Sequence, residues 1–448
     1  MFARALYVAA ALALLAYTLH RILGSAAGLP AEATSCSGCN VILVSIDTLR
    51  ADRLGIYGNP RPTSPHIDRF AARSVVFDNA ISQSAWTRPA HASMLTGLYP
   101  SEHGIVGMNG HRGLASELET LPAVLARQGY STAAFTGGAN MSAHFGFDRG
   151  FETYLSPGRR LEDSLPALDR FLTNVREPFF VLLHGFDAHK PYKSEAIDRM
   201  ALGLPDEPAR GMARACREGD SPEDLAPFLA EYDATVHRAD RSIGRLLEMV
   251  NAAGVAERTV IVVTSDHGEE FLEHGRCFHI RSLYREVVHV PLIIHVPGLA
   301  ARRISAPVPA SAAIGPTIER LVTPQPEPRT LPGPSLAATV GGGPAPVDYV
   351  VSETSSRNTH DGGSGHVIAV TGEDEKLVWW ISREREEYFD LSRDRLESEP
   401  EDGSERVVFL RDWLARWRDR HPPRVEHSDR STLPRRLARE LRALGYLR

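Results

Sequence analysis

The chain has 448 residues, 43% hydrophobic and 24% charged, which is room for one large globular α/β domain and a smaller one. A formal net charge of -6 and a pI near 6.3 exclude the basic footprint of a nucleic-acid binder. Four cysteines are sparse, and only Cys36 and Cys39 stand at C-x-x-C spacing, with no second pair to complete a zinc finger.

An apolar run over residues 5–16, bounded by Arg4 and Arg21, opens the chain. Counted from Phe2 to Leu23 it just reaches the about 20 residues of a spanning helix. Ser25-Ala26-Ala27 and Ala31-Glu32-Ala33 are both acceptable cleavage sites. A cleaved signal peptide and an uncleaved membrane anchor fit these residues equally. Both put the rest of the chain outside the cytoplasm, in a periplasmic or extracytoplasmic setting. Cys36 and Cys39 then read as an exported-side disulfide or as two plain thiols, while Cys216 and Cys277 are too far apart in sequence to assign.

Residues 40–46 are apolar, largely β-branched, and form the first expected strand. Residues 61–70 read as a turn feeding a helix, 121–128 as a short helix, 130–136 as a strand, 165–175 as a helix and 179–184 as a buried strand. From 231 to 251, Val236, Ala239, Ile243, Leu246, Leu247 and Val250 recur at helical spacing, and Gly254 stops that helix. A further strand starts at 259. Strands alternating with helices predict an α/β fold with a doubly wound, mostly parallel central sheet. Residues 297–346 are rich in Pro, Ala and Gly and read as a linker with a short helix over 314–322. Strands follow at 349–352, 366–370, 376–381 and 387–391. Amphipathic helices follow at 407–417 and 433–447, the last expected to pack on the body rather than on a membrane. The expected boundaries are an N-terminal segment 1–35, a main domain 36–325, a Pro/Gly linker 326–346 and a C-terminal subdomain 347–448.

Three segments carry the chemistry. Residues 84–97 read as a loop turning into a short helix, with Thr87 as N-cap, Pro89 in the first turn and Gly97 ending it. A hydroxyl there faces unpaired N–H groups and the positive end of the helix dipole, a place that holds an anionic ester and stabilises an alkoxide. The first strand delivers Asp47, and the strand from 259 delivers Asp266 and His267. Two such strands releasing oxygen and nitrogen ligands at their C-terminal ends describe a site at the top of a parallel sheet.

The motifs Ile46-Asp47-Thr48-Leu49-Arg50-Ala51-Asp52, Ala92-Ser93-Met94-Leu95-Thr96-Gly97-Leu98-Tyr99-Pro100, Ser265-Asp266-His267-Gly268-Glu269 and Val290-Pro291-Leu292-Ile293-Ile294 resemble the sulfatase family of the alkaline phosphatase superfamily. The resemblance runs over nearly everything from residue 40 on, and implies that the last four strands form a small antiparallel sheet. There is one departure. Typical sulfatases carry Cys or Ser in Cys-x-Pro-Ser-Arg and convert it to formylglycine, whereas here the frame reads Thr87-Arg88-Pro89-Ala90-His91. Thr cannot become that aldehyde, because its β-carbon bears a methyl group, so no formylglycine is expected. A Thr nucleophile resembles instead the superfamily's nucleotide pyrophosphatases and its phosphoglycerol and phosphoethanolamine transferases.

Within that frame Thr87 is the expected nucleophile. With Asp47, Asp266 and His267 it forms a four-ligand set for one divalent ion, Mn²⁺, Mg²⁺, Ca²⁺ or Zn²⁺. Thr48 stands where many sulfatases have a second Asp. His91 replaces the sulfatase Arg and lies one turn after Thr87 on the same face, where it would donate to ester oxygens or accept the Thr87 proton. His189 resembles the family's His-x-Pro substrate loop, and His279 matches the place of a sulfate-binding Lys. Both are expected to be catalytic, with a His protonating the leaving alkoxide. Arg50 and Asp187 are assigned to substrate binding. A second metal on Asp187, His189 and His279 would need the pyrophosphatase spacing Asp-x-x-x-His, and residue 191 is Pro. The expected activity is cleavage of phosphate or sulfate esters on a lipid or glycan, phosphoesters favoured. The alternatives are a sulfate-ester hydrolase without formylglycine, a transferase, and an inactive surface binding protein.

Overall fold

A computed structural model describes residues 35–107, 112–207, 222–324, 330–356, 365–424 and 433–444. The N-terminal apolar segment and its cleavage sites lie outside the described residues, among which no helix is long and apolar enough to cross a membrane.

Fourteen strands are described: β1 (Asn40–Ile46), β2 (Val75–Ile81), β3 (Ser131–Phe135), β4 (Thr153–Leu155), β5 (Phe179–Gly185), β6 (Thr259–Thr264), β7 (Glu270–Phe271), β8 (Cys277–Phe278), β9 (Leu292–His295), β10 (Arg302–Pro309), β11 (Val350–Ser356), β12 (Gly365–Thr371), β13 (Glu375–Trp380) and β14 (Arg385–Asp390). Eight of them form one sheet in the order β10-β2-β9-β6-β1-β5-β3-β4. All neighbours in it run parallel except where β9 meets β2 and β6. Because β1 is central, both of its faces are buried and its sequence is apolar throughout. Val41 and Leu43 enter one core, and Ile42, Val44 and Ile46 enter the other.

Helices cover both faces, as the alternation of elements predicts. The second core takes Ile67 and Phe70 of α1 (Pro65–Ala71), Leu165 and Leu168 of α3 (Leu161–Asn174), and Val236 and Ile243 of α4 (Pro222–Ala252). The first core takes Met94 and Leu95 of α2 (Thr87–Thr96) and Ile314 and Ile318 of α5 (Ala310–Val322).

Residues 297–346 are not a linker. β10 is an edge strand paired parallel with β2, and α5 is buried along nearly its whole length. Leu331, Leu336 and Val340 of the supposed linker 326–346 are also core residues. Proline and arginine in β10 mimic a loop because an edge strand needs only one hydrogen-bonded side. β2 escaped the sequence reading because Asp78 and Asn79 interrupt its apolar run.

Strands β11–β14 form the expected antiparallel sheet. One face packs on Leu283, Tyr284, Val287 and Val288 of the main domain. The other takes Leu410, Leu414 and Trp417 of α6 (Ser404–Arg420). The C-terminal helix α7 (Arg435–Ala443) packs Leu437 and Leu441 on the main core. Cys36 and Cys39 are disulfide-bonded, and no described cysteine is a free thiol.

A buried charge cluster joins the main domain to the second sheet. His274 stacks on Tyr284 with ring centroids 3.6 Å apart. It donates to the Glu286 carboxylate at 2.7 Å and to the Glu397 carbonyl at 2.7 Å. Burial pushes its pKa down, but the bond to Glu286 and that residue's charge outweigh burial and raise it to about 9. Folding thus tightens proton binding, so this stabilisation is complete below the ordinary value of 6.5 and is lost as pH rises through about 9. Glu270 next to it, raised to about 8 by burial and then by Glu286, acts in the same direction over a lower window. Melting curves are expected to show Tm falling by several degrees (about 5 °C or more) between pH 6.5 and 9. His274→Gln should flatten that part of the profile.

Candidate active site

The register of the sheet builds the site. Ser45 lies opposite Thr264 on β6 and opposite His184 on β5. Two residues further on, Asp47 and Asp266 therefore leave their strands at the same level. The turn after β1 is held from three sides. The Thr48 amide donates to Asp266 Oδ1 at 3.2 Å, the Leu49 amide to Ser265 Oγ at 3.0 Å, and the Tyr232 hydroxyl of α4 to the Thr48 carbonyl at 2.7 Å. Thr48 has a φ of 60°, strained for a β-branched residue, and these bonds maintain it.

Helix α2 starts one residue earlier than expected: Trp86 is the N-cap and Thr87 is the first helical residue. Gly97 ends it at φ 75°, where a Cβ would stand 2.3 Å from the Pro332 carbonyl. At the other end the Thr87 hydroxyl donates to Asp47 Oδ2 at 3.1 Å.

The donor set fits a divalent cation. Asp47 Oδ1, Asp266 Oδ2 and His267 Nε2 are buried and have no hydrogen-bond partner among the described residues. Ligand atoms of these three residues lie within 4.8 Å of one another. His267 donates Nδ1–H to the Gly268 carbonyl at 2.9 Å, which leaves the Nε2 lone pair facing the two carboxylates. Burial and then the charge of Asp266 push the Asp47 pKa well up, although His267 opposes the shift. Two oxygens, one imidazole nitrogen and an adjacent hydroxyl make up the expected ligand set.

His91 and His184 brace this cluster from behind. His91 Nδ1 donates to the Thr87 carbonyl at 2.8 Å, and Nε2 accepts from Ser45 Oγ at 3.0 Å. Both ring nitrogens are therefore used in tying α2 to β1, and the expected contact with ester oxygens is replaced by a positioning role. Burial and then His184 lower its pKa to about 4. His184 accepts from the Gly137 amide on Nδ1 at 3.3 Å and donates Nε2–H to Asp47 Oδ2 at 3.3 Å. Sequence reasoning missed His184, although an imidazole is the next-to-last residue of β5 much as one follows β6. His184→Ala is expected to weaken metal binding by about 10–100-fold while the fold persists, read by metal titration.

His279 and His189 form a second layer. The His279 ring lies 4.5 Å from that of His267 and 5.2 Å from that of His189. His279 Nδ1 donates to Glu269 Oε1 at 2.7 Å, and the Tyr192 hydroxyl donates to Glu269 Oε2 at 2.9 Å. Glu269 stood in a recognised motif without an assigned role. His189 Nδ1 donates to the Lys190 carbonyl at 2.5 Å. Burial, then His279, lowers the His189 pKa to about 3, and burial, then His267, holds His279 well below its ordinary value. Burial thus favours the neutral form of both imidazoles.

Arg50 and Asp187 are placed away from the ligand atoms. Arg50 donates to Asp52, to Glu273 and to the Glu269 carbonyl, behind the Asp266 loop. Asp187 accepts from the Leu161 amide at 2.8 Å, fixing the start of α3, and lies 3.7 Å from Arg238. Both are thus tied to neighbouring elements of the fold.

A family model described as Sulfatase matches residues 39–323. The chain is 27% identical over 309 residues to an ulvan-active sulfatase of Formosa agariphila, covering 60% of this chain and 59% of that one. It is 26% identical over 334 residues to human iduronate 2-sulfatase, covering 58% and 60%. It therefore spans about three fifths of these relatives' length. Among solved structures it shares its fold with a phosphonate monoester hydrolase of Agrobacterium radiobacter (TM-score 0.69, 21% identity, 89% of this chain and 99% of that one). It shares it too with a 2-O glycosaminoglycan sulfatase (TM-score 0.70, 19% identity, 86% and 93%).

Proposed function

The chain belongs to the sulfatase family, and from that premise we propose that it is a metal-dependent hydrolase of anionic esters that uses Thr87 as nucleophile. The observation that carries this reading is the Thr87 hydroxyl, 3.1 Å from Asp47 and at the head of a helix, beside three buried ligand atoms that have no hydrogen-bond partner among the described residues. A divalent ion on Asp47, Asp266, His267 and Thr87 would lower the pKa of the Thr87 alcohol and offset the charge of the ester oxygens.

Thr87 Oγ1 attacks the phosphorus or sulfur in line. The Oγ1–H proton passes first to Asp47 Oδ2, the acceptor it already bonds. The bond to Oγ1 forms as the bond to the ester oxygen breaks, and the departing alkoxide takes up a proton in net exchange for the one Thr87 gave up. Helix α2 supplies the positive end of its dipole to the remaining oxygens. Water then attacks the central atom as the bond to Thr87 Oγ1 breaks, and the proton water gives up, accepted by the imidazole of His279 held by Glu269, is passed on in net exchange to restore the Oγ1–H.

Phosphate esters come first on chemical grounds. A formylglycine hydrate releases sulfate by reforming its aldehyde, a route closed to Thr, so the covalent ester must be cleaved at its central atom. Sulfate esters are the second reading, favoured by relatives named for sulfated glycans. The apolar N-terminal residues support an exported chain. A panel of aryl phosphodiester, phosphomonoester, phosphonate and sulfate substrates with Mn²⁺, Mg²⁺, Ca²⁺ and Zn²⁺ tests the proposal. Turnover of phosphate or phosphonate esters at least about tenfold faster than sulfate supports the first reading, and the reverse order supports the second. No turnover with any pairing overturns both.

A further inference from the structure

The segment from Glu270 to Glu286 brings together ligand-type side chains that the reaction does not use. It leaves the Asp266 loop as β7, returns as β8 with Phe278 opposite Glu270, and reaches Glu286 two residues after Tyr284. Ligand atoms of Glu270, His274 and Glu286 lie within 4.8 Å of one another. Glu270 is 2% exposed, and its Oε1 is buried with no hydrogen-bond partner among the described residues. Its Oε2 accepts from Ser282 Oγ at 2.8 Å. Among the described residues, His274 is the one cationic group within ion-pair distance of these two carboxylates. Lys376 is committed to Glu397 at 2.8 Å.

His274 is held as a ligand would be. Its Nε2–H donates to the Glu397 carbonyl at 2.7 Å and its ring stacks on Tyr284, which leaves Nδ1 facing Glu286 at 2.7 Å. One ring nitrogen anchored on a backbone carbonyl, with the other turned to carboxylates, is the arrangement that orients a metal-binding imidazole.

We propose that Glu270, His274 and Glu286 bind a divalent cation, zinc by the chemistry of its donors, separate from the ion at Asp47, and that this cation clamps the β7–β8 hairpin. Two carboxylate oxygens and one imidazole nitrogen suit zinc with a fourth position for water, whereas calcium would take more oxygens and magnesium would keep most of its own waters. The His274 Nδ1 proton that now bonds Glu286 leaves to solvent as the cation takes its place, and Nε2–H stays on Glu397. The hairpin matters to the active site because Glu269 immediately precedes β7, His279 immediately follows β8, and the two are bonded to each other. Closing the loop from 270 to 286 with an ion lowers its freedom and so fixes both. The competing reading is a cluster that holds protons only.

The test uses the full chain carrying Asp47→Asn and Asp266→Asn, which disables the site at the strand ends and leaves this one intact. After chelation and exchange into neutral buffer, calorimetry with zinc and elemental analysis should find one zinc per chain. Adding Glu270→Gln should weaken that binding by at least about 100-fold. His274→Gln, at the least buried of the three positions, should do the same, and it decides the matter if the Glu270→Gln chain does not fold. Zinc should also slow hydrogen exchange of the amides between 270 and 286 by about tenfold or more, and leave it unchanged in the His274→Gln chain. The proposal is overturned if the Asp47→Asn, Asp266→Asn chain takes up no zinc, or if folded Glu270→Gln and His274→Gln chains take it up as well. Zinc uptake without slower exchange in the hairpin overturns the clamp. No arm needs turnover, so the result stands apart from the ester-hydrolase reading.

Discussion

Thr87→Ala is expected to lower kcat by at least about 10³-fold on whichever ester the enzyme cleaves, because it removes the attacking oxygen itself. Ala is the best helix former, so the first turn of α2 should persist in this variant. Asp47, Asp266 and His267 remain, so the protein should still bind metal, with reduced affinity, as read by elemental analysis after dialysis. Thr87→Ser keeps the hydroxyl and should retain activity within about tenfold. A Thr87→Ala protein with unchanged kcat would leave Thr87 as a helix residue and nothing more.

Removal of the metal is the second large effect. Asp47, Asp266 and His267 bring ligand atoms within 4.8 Å of one another in a fully buried site. A bound cation converts the mutual repulsion of the two carboxylates into attraction, so it binds the folded chain and not the unfolded one. Chelation should therefore abolish turnover and also lower Tm. A free ion at about 100 times its Kd adds about 2.7 kcal/mol to stability. Melts and rates measured after chelation and on adding back each ion should rise together for the right ion. Asp266→Asn should remove most of the ion-dependent gain in Tm, because it takes away one charge while its Oδ1 still accepts from the Thr48 and His267 amides. A protein whose rate and Tm are indifferent to chelation would contradict the metal centre.

Asp47, Thr87, Asp266 and His267 were legible because each sits where a regular element begins or ends, and the signal for such an end is local. The central sheet was legible for the same reason: β1, β5 and β6 are apolar on both faces. What could not be read depends on partners distant in sequence. His184 lies within an apolar strand, and only the register against β1 brings it to Asp47. Arg50 and Asp187 are the residue types that bind anions or metals. Their partners, Glu273 for one and Leu161 and Arg238 for the other, are supplied by other segments of the chain. His91 shares a helix face with Thr87 as expected, but the same geometry turns its ring onto the Thr87 carbonyl. β10 was hidden because edge strands tolerate the residues that mark loops.

The most direct measurement is a single-turnover reaction quenched in acid and mapped by peptide mass spectrometry. The metal-loaded protein should carry one phosphoryl or sulfo (SO3) group on Thr87, absent after chelation and absent from Thr87→Ala. A covalent adduct that maps to another side chain, or that forms equally well in Thr87→Ala, would contradict the account.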